Sequence, residues 1–149
     1  MGTGPLHGIR VVEFTGIGPA PMAGMLLADL GASVIRLDRP SAADAMNDGA
    51  PGPHMSEGRT VMAADLKSEE GLGLARDLVS RADVLLEGFR PGVLERRGLG
   101  PQDALELNPR LVYARVTGWG QDGPLAHTAG HDMNYVSLNG ALHSIGRAD

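Results

Sequence analysis

An α/β fold is predicted for this 149-residue chain from three features of its sequence. Short β-branched runs alternate with segments carrying apolar residues at helical spacing. The connections between them are mostly short and rich in Gly and Pro. Aromatic residues make up only 3%, so the core must be aliphatic. Alternation with short connections favours right-handed crossovers and a mostly parallel sheet with helices on both faces, a Rossmann-like arrangement. The length allows one domain, residues 1–149, with a sizeable core and is too small for two independent ones.

The elements follow in order. Residues 8–14 carry Ile9, Val11, Val12 and Phe14, a run suited to a strand buried on both faces. Gly16-Ile17-Gly18-Pro19-Ala20-Pro21 breaks it, with Pro21 suited to a first helical turn. Met22, Met25, Leu26, Asp29 and Leu30 continue that helix, and Gly31 stops it. Residues 33–37 form a second strand, closed by Asp38-Arg39-Pro40, and residues 41–59 lack periodicity and are expected to be a partly mobile surface loop. A short strand over 60–64 precedes Ser68, which is placed to cap a helix with Leu72, Leu74, Ala75, Leu78 and Val79 on one stripe. A strand over 83–86 leads to Arg90-Pro91-Gly92, expected to open a short helix. Pro101 begins another helix, ended by Asn108-Pro109. A strand over 111–117, a Gly-rich loop over 118–129 and a last helix over 132–142 complete the chain. No element follows residues 144–149, and this abrupt end suggests a fragment.

Composition narrows the function. A net charge of −5 provides no basic field for nucleic acid or an anionic membrane. A phosphate-bearing ligand would therefore need a few local Arg and Lys side chains. Without cysteine, disulfides and thiolate catalysis are excluded. With no long apolar run and no leader-like start, the chain reads as cytoplasmic by default.

Strand, Gly-rich turn, helix, strand and acid outline a dinucleotide-binding unit. Here the third glycine is missing, and Pro19 and Pro21 remove amide donors that a pyrophosphate would use. Asp38 could accept from a ribose and Arg39 hold a 2′-phosphate, but a tight strand-to-helix turn explains the glycines better. The cations form a different pattern. Arg39 follows the second strand, Lys67 the third and Arg90 the fourth, with Arg96 close behind. In a parallel sheet the strands' carboxyl ends share one edge, where ligands bind. Together these residues can collect the phosphates of one nucleotide-like ligand through charge-assisted hydrogen bonds. Each taken singly is better explained as a solvated loop end.

Gly130-His131-Asp132-Met133-Asn134-Tyr135 marks the start of the last helix. Asp132 can cap its first amides, which carry partial positive charge. An imidazole beside such donors suits proton transfer next to a carbonyl, with the amides stabilising an enolate. Spacing alone, however, is better met by a loop histidine without chemistry. The other histidines, His7, His54, His127 and His143, show no metal-ligand spacing.

Several segments resemble the class III CoA-transferase superfamily. They are Pro5-Leu6-x-Gly8-Ile9-Arg10-Val11-Val12-Glu13, Asp29-Leu30-Gly31-Ala32, Ala64-Asp65-Leu66-Lys67, Glu87-Gly88-Phe89-Arg90-Pro91-Gly92 and Gly118-Trp119-Gly120-Gln121-x-Gly123-Pro124. The resemblance covers nearly the whole chain, in order. Members that move CoA between acids usually carry an aromatic residue where His131 stands, and residues 130–135 look instead like the α-methylacyl-CoA racemase branch.

The resemblance implies an N-terminal CoA-binding α/β domain, an incomplete large domain of that fold. Arg39, Ala64, Asp65, Leu66, Lys67, Gly88, Phe89, Arg90 and Arg96 would line a CoA site. Gly130, His131, Asp132, Met133, Asn134 and Tyr135 would meet the thioester, with His131 catalytic. The implied reaction inverts a 2-methylacyl-CoA at its α-carbon through an enolate. It uses no metal and no cofactor beyond the CoA of the acyl-CoA thioester, which is the expected partner. A CoA-transferase, or a non-catalytic CoA-binding piece, is the alternative. Complete members are more than twice as long and carry a catalytic Asp and a second domain outside this chain. The full-length protein is expected to be a homodimer, and the isolated chain to bind CoA weakly without racemising it.

Overall fold

The computed structural model describes residues 3–14, 16–40 and 57–147. The loop expected over residues 41–59 lies outside this set except for its last three positions. The chain divides into two compact units, Met1–Val116 and Thr117–Asp149.

The first unit is a five-stranded parallel sheet in the order β3-β2-β1-β4-β5. Its strands are β1 (Arg10–Phe14), β2 (Ser33–Asp38), β3 (Thr60–Ala63), β4 (Val84–Glu87) and β5 (Val112–Arg115). The helices are α1 (Pro19–Asp29), α2 (Glu69–Arg81) and α3 (Pro101–Leu107). The chain winds outward from β1 through β2 to β3, then crosses back to place β4 on the other side of β1 and β5 beyond it, so the order reverses at β1 and the sheet is doubly wound. Each expected strand is present, with ends displaced by one or two residues.

Two cores lie on opposite faces of the sheet. On one, Val12, Phe14, Leu37 and Leu85 pack with Leu72, Ala75 and Val79 of α2 and Ala104 of α3. On the other, Val11, Val34 and Leu86 pack against Ala20, Ala23 and Leu27 of α1. The alternation along each strand is the period-2 geometry of extended backbone. In α1 the large residues Met22 and Leu26 are exposed, as is Leu30 at its C-cap, and the buried positions are the small Ala20, Pro21 and Gly24. Gly24 has to be small, because a Cβ there would sit 2.1 Å from Glu13 Oε2.

The helix ends are chemically specified. Ser68 caps α2, its hydroxyl accepting from Gly71 N at 3.0 Å. At the end of α1 the amide of Gly31 (φ 97°) donates to Ala28 O and that of Ala32 to Leu27 O, the paired bonds of a Schellman stop. The helix expected to open at Arg90-Pro91-Gly92 is instead a turn leading into a 3₁₀ segment, Glu95–Arg97, ended by Gly98 at φ 62°.

The second unit holds α4 (Asp132–Leu138) and a 3₁₀ segment, Ala141–Ser144. The helix expected over 132–142 breaks because Gly140 takes φ 82°, where an α-helix cannot continue. Asp132 does not cap this helix: it is the first helical residue, and His131 is the N-cap.

Candidate CoA-binding cleft and the His131 turn

At the carboxyl ends of β2, β3 and β4 the first unit opens a cleft of about 520 Å³. Its walls come from three turns, each held by its own hydrogen bonds. After β2, Leu37, Asp38, Arg39 and Pro40 line it. The Asp38 carboxylate is engaged by Arg36, whose Nε and Nη2 donate at 2.7 and 2.8 Å. That bidentate pair occupies the acid that a ribose would have needed.

After β3, Ala64, Asp65, Leu66 and Lys67 form the second wall. Ala64 N donates to Asp38 O at 2.8 Å, Lys67 N to Asp65 Oδ1 at 2.9 Å, and Ser68 Oγ to Asp65 O at 2.9 Å. Gly71 lets α2 start against this turn, since a Cβ would lie 2.1 Å from Asp65 O. The turn is therefore rigid, and Lys67 on it is exposed, as Arg39 is on the first wall.

After β4, Phe89, Val93, Leu94 and Arg97 complete the lining. Phe89 N donates to Glu87 Oε2 at 2.7 Å, and Arg115 Nε donates to Glu87 Oε1 at 3.1 Å. Arg115 also pairs with Glu95, so Glu87, Arg115 and Glu95 tie this wall to the sheet. Burial pushes the Glu87 carboxyl above its usual range, against the pull of the Phe89 amide and Arg115. Burial likewise raises Glu95, but the hydrogen bond and charge of Arg115 outweigh it and hold that carboxyl below normal. Tyr113 is half-buried, and the loss of solvent raises its pKa well above the ordinary phenol value and keeps its hydroxyl a donor, here to Leu99 O at 2.9 Å.

The cleft thus gathers Arg39, Ala64, Asp65, Leu66, Lys67 and Phe89 from the residues named by sequence. Gly88, Arg90 and Arg96 stand nearby in the chain but do not line it. Gly88 serves packing instead, as a Cβ there would meet Ala20 Cβ at 2.9 Å. Leu37, Asp38, Pro40, Val93, Leu94 and Arg97 are lining residues that sequence reasoning did not name as such. For the apolar ones the available signal was their position directly at or after a strand's carboxyl end.

In the second unit, the turn before α4 is built on glycine. A Cβ at Gly118 would lie 2.5 Å from Tyr135 Oη, and one at Gly130 would lie 2.6 Å from Tyr135 Oη and 2.8 Å from Trp119 Nε1. The Trp119 and Tyr135 rings meet edge to face at 4.9 Å, and Trp119 Nε1 donates to Ala129 O at 3.2 Å. This cluster sets where α4 begins. His131 N donates to Asn134 Oδ1 at 3.0 Å, and His131 O accepts from the amides of Asn134 and Tyr135. The backbone of His131 is held at both ends while its side chain is exposed, as are Asp132, Met133 and Asn134; Tyr135 is half-buried. Among the described residues no helix is long and apolar enough to cross a membrane.

The chain is similar to the α-methylacyl-CoA racemase of Mus musculus, with 46% identity over 96% of this chain and 36% of that protein. It is also similar to the succinate–glutarate CoA-transferase of Agrobacterium fabrum, with 37% identity over 97% of this chain and 40% of the other. Among solved structures, a CaiB/BaiF family protein from Brucella suis superposes with a TM-score of 0.86 at 34% identity, covering 98% of this chain and 42% of that one. The chain therefore spans well under half of the relatives it matches. The family model of CoA-transferase family III matches residues 6–149, and the chain belongs to that family.

Proposed function

We propose that this chain is the CoA-holding part of an α-methylacyl-CoA racemase, and that it also supplies one of the reaction's proton carriers. The observation that carries the reading is the cleft at the sheet's carboxyl edge, where Arg39 and Lys67 flank the apolar Leu37, Leu66, Phe89 and Leu94. A phosphate-bearing nucleotide attached to a less polar arm fits that division. The 46% identity to the mouse racemase supports the branch. Because this chain covers 36% of that protein, the steps below are confined to its own residues.

Arg39 and Lys67 hold phosphate oxygens, and Leu66 and Phe89 cover the nucleoside and the beginning of the arm. His131 in its neutral form takes the proton from the α-carbon of the 2-methylacyl group. The C–H electron pair becomes the C=C bond of the enolate, and the negative charge moves to the thioester oxygen, where the first amides of α4 stabilise it. Return of a proton to the opposite face gives the inverted centre. The His131 imidazole can take the proton or give it back, so the reaction can run in either direction.

Transfer of CoA between acids is the second reading, favoured by the 37% identity to the Agrobacterium enzyme. A chimera in which this chain replaces the matching residues of the mouse racemase separates the two. Incubated with (R)-2-methylacyl-CoA in D₂O, it is expected to place deuterium at the α-carbon and form the (S) isomer. His131→Asn is expected to lower that rate by about 10²- to 10⁴-fold. Formation of succinyl-CoA from added succinate with no α-deuterium would replace the racemase reading with the transferase one.

A further inference from the structure

We infer that Arg115, a β5 residue that does not line the cleft, is a positioning residue for the cleft's ligand, because it fixes the wall after β4 from both sides. This rests on reading the cleft as a CoA site, and it concerns how the wall is held rather than what the ligand touches. Glu87 and Arg115 are a registered pair at the carboxyl ends of β4 and β5. Glu87 is 3% exposed, and it accepts from Arg115 Nε at 3.1 Å and from the amide of Phe89 at 2.7 Å. The second of these bonds fixes the backbone of a lining residue where the wall begins. The same guanidinium pairs through Nη2 with Glu95, which follows the lining residues Val93 and Leu94. One side chain thus holds both sides of the stretch that carries Phe89, Val93 and Leu94.

The clamp is itself braced. The Arg115 guanidinium carbon lies 5.6 Å from the centre of the Tyr113 ring, within cation–π range. Tyr113 Oη donates in turn to Leu99 O at 2.9 Å. β5 therefore grips the segment after β4 at Glu95 and again at Leu99. Strand pairing does not call for this arrangement. An apolar pair at positions 87 and 115 would join the strands without burying a carboxylate, and well-packed apolar pairs are often at least as stabilising as buried ion pairs. What the charges add is direction, since a planar guanidinium reaching two carboxylates fixes where each of them sits. The place so fixed is that of Phe89, which covers the ligand.

Calorimetric titration with CoA tests this on wild type, Arg115→Ala, Glu95→Ala, Phe89→Ala and the double variant Arg115→Ala with Phe89→Ala. Arg115→Ala is expected to weaken binding about tenfold although it removes no lining residue. In the double variant the loss is expected to be that of the weaker-binding single variant, since Arg115 acts through the wall that Phe89 completes. Glu95→Ala supplies a test of sign. Removing an acid beside a site for a polyanion would tighten binding by charge alone, whereas loss of the clamp is expected to weaken it about two- to fivefold. The Glu95 side chain is 40% exposed, so this variant folds without stranding a buried charge, and it decides the matter if Arg115→Ala does not fold. Wild-type affinity in Arg115→Ala, unchanged or tighter binding in Glu95→Ala, or additive losses in the double variant overturns the inference and leaves the CoA reading intact. Absence of CoA binding by the wild type overturns both.

Discussion

Glu13 stands in the middle of the central strand with its side chain fully buried, and Arg59 Nη1 meets its Oε2 at 2.5 Å and Pro21 O at 3.1 Å. Burial pushes the Glu13 carboxyl upward, opposing the pull of Arg59. Among the described residues Glu13 Oε1 and Arg59 Nε and Nη2 are buried without hydrogen-bond partners, so the pair is incompletely satisfied there. Buried pairs of this kind are costly to break and not costly to replace. Arg59→Ala is expected to destabilise by about 3–5 kcal/mol in urea unfolding, and Gly24→Ala by a comparable amount through collision with Glu13. The double variant Glu13→Leu with Arg59→Met is expected to recover most of that loss. A glutamate inside an apolar run was visible in the sequence, but its partner, 46 residues away, was not. Nothing in spacing announces an ion pair closed by tertiary packing. The reverse holds for Gly118 and Gly130, whose need for hydrogen at Cα became apparent only when Trp119 and Tyr135 were seen to fill the space.

The α/β elements were legible because each rests on local chemistry. Ser68 lies three residues before the amide it caps, and Gly31 follows the last turn it stops. Ser68→Ala is expected to cost about 1 kcal/mol by chemical denaturation. The misjudged elements were those in which a glycine or a short turn overrode apolar spacing, as at Gly140 and at Glu95–Arg97. In the turn that replaces the second of these, Arg97 lines the cleft and Arg96 does not. At the opposite edge of the sheet from the cleft, Asp83 Oδ2 accepts from Arg10 N at 2.8 Å and Nε at 3.3 Å, joining the starts of β1 and β4. The side-chain bond, then the backbone bond, holds Asp83 below the usual carboxylate range. A depressed carboxylate pKa stabilises the fold above the unfolded-state value of about 3.9, and that contribution is lost as pH falls through the folded value. Wild type is therefore expected to exceed Asp83→Asn by less than about 1 kcal/mol at neutral pH, because Arg10 is largely exposed, with the difference shrinking as pH falls below about 3.9 in pH-dependent melting.

At the scale of the molecule, the two units differ in what holds them. Residues of the first fill two cores across the sheet, whereas Ala126 is the one buried hydrophobic among the described residues of the second. Amides of α4 are expected to exchange with solvent faster than those of β1 and β4, by hydrogen exchange read by mass spectrometry. Family membership was readable from dispersed motifs, because turn glycines and edge cations are specified locally. The cleft's full lining was not, because it takes β2, β3 and β4 placed side by side to bring residues 37–40, 64–67 and 89–97 together. The claim on which the account turns is that this edge, and not the turn before α1, receives the nucleotide. Amide chemical-shift mapping of the ¹⁵N-labelled protein during titration with CoA tests it most directly. Shifts concentrated at Arg39, Ala64–Lys67, Phe89 and Arg97 are the expected result; shifts concentrated at Gly16, Ile17, Gly18 and Met22, with the cleft silent, would contradict it.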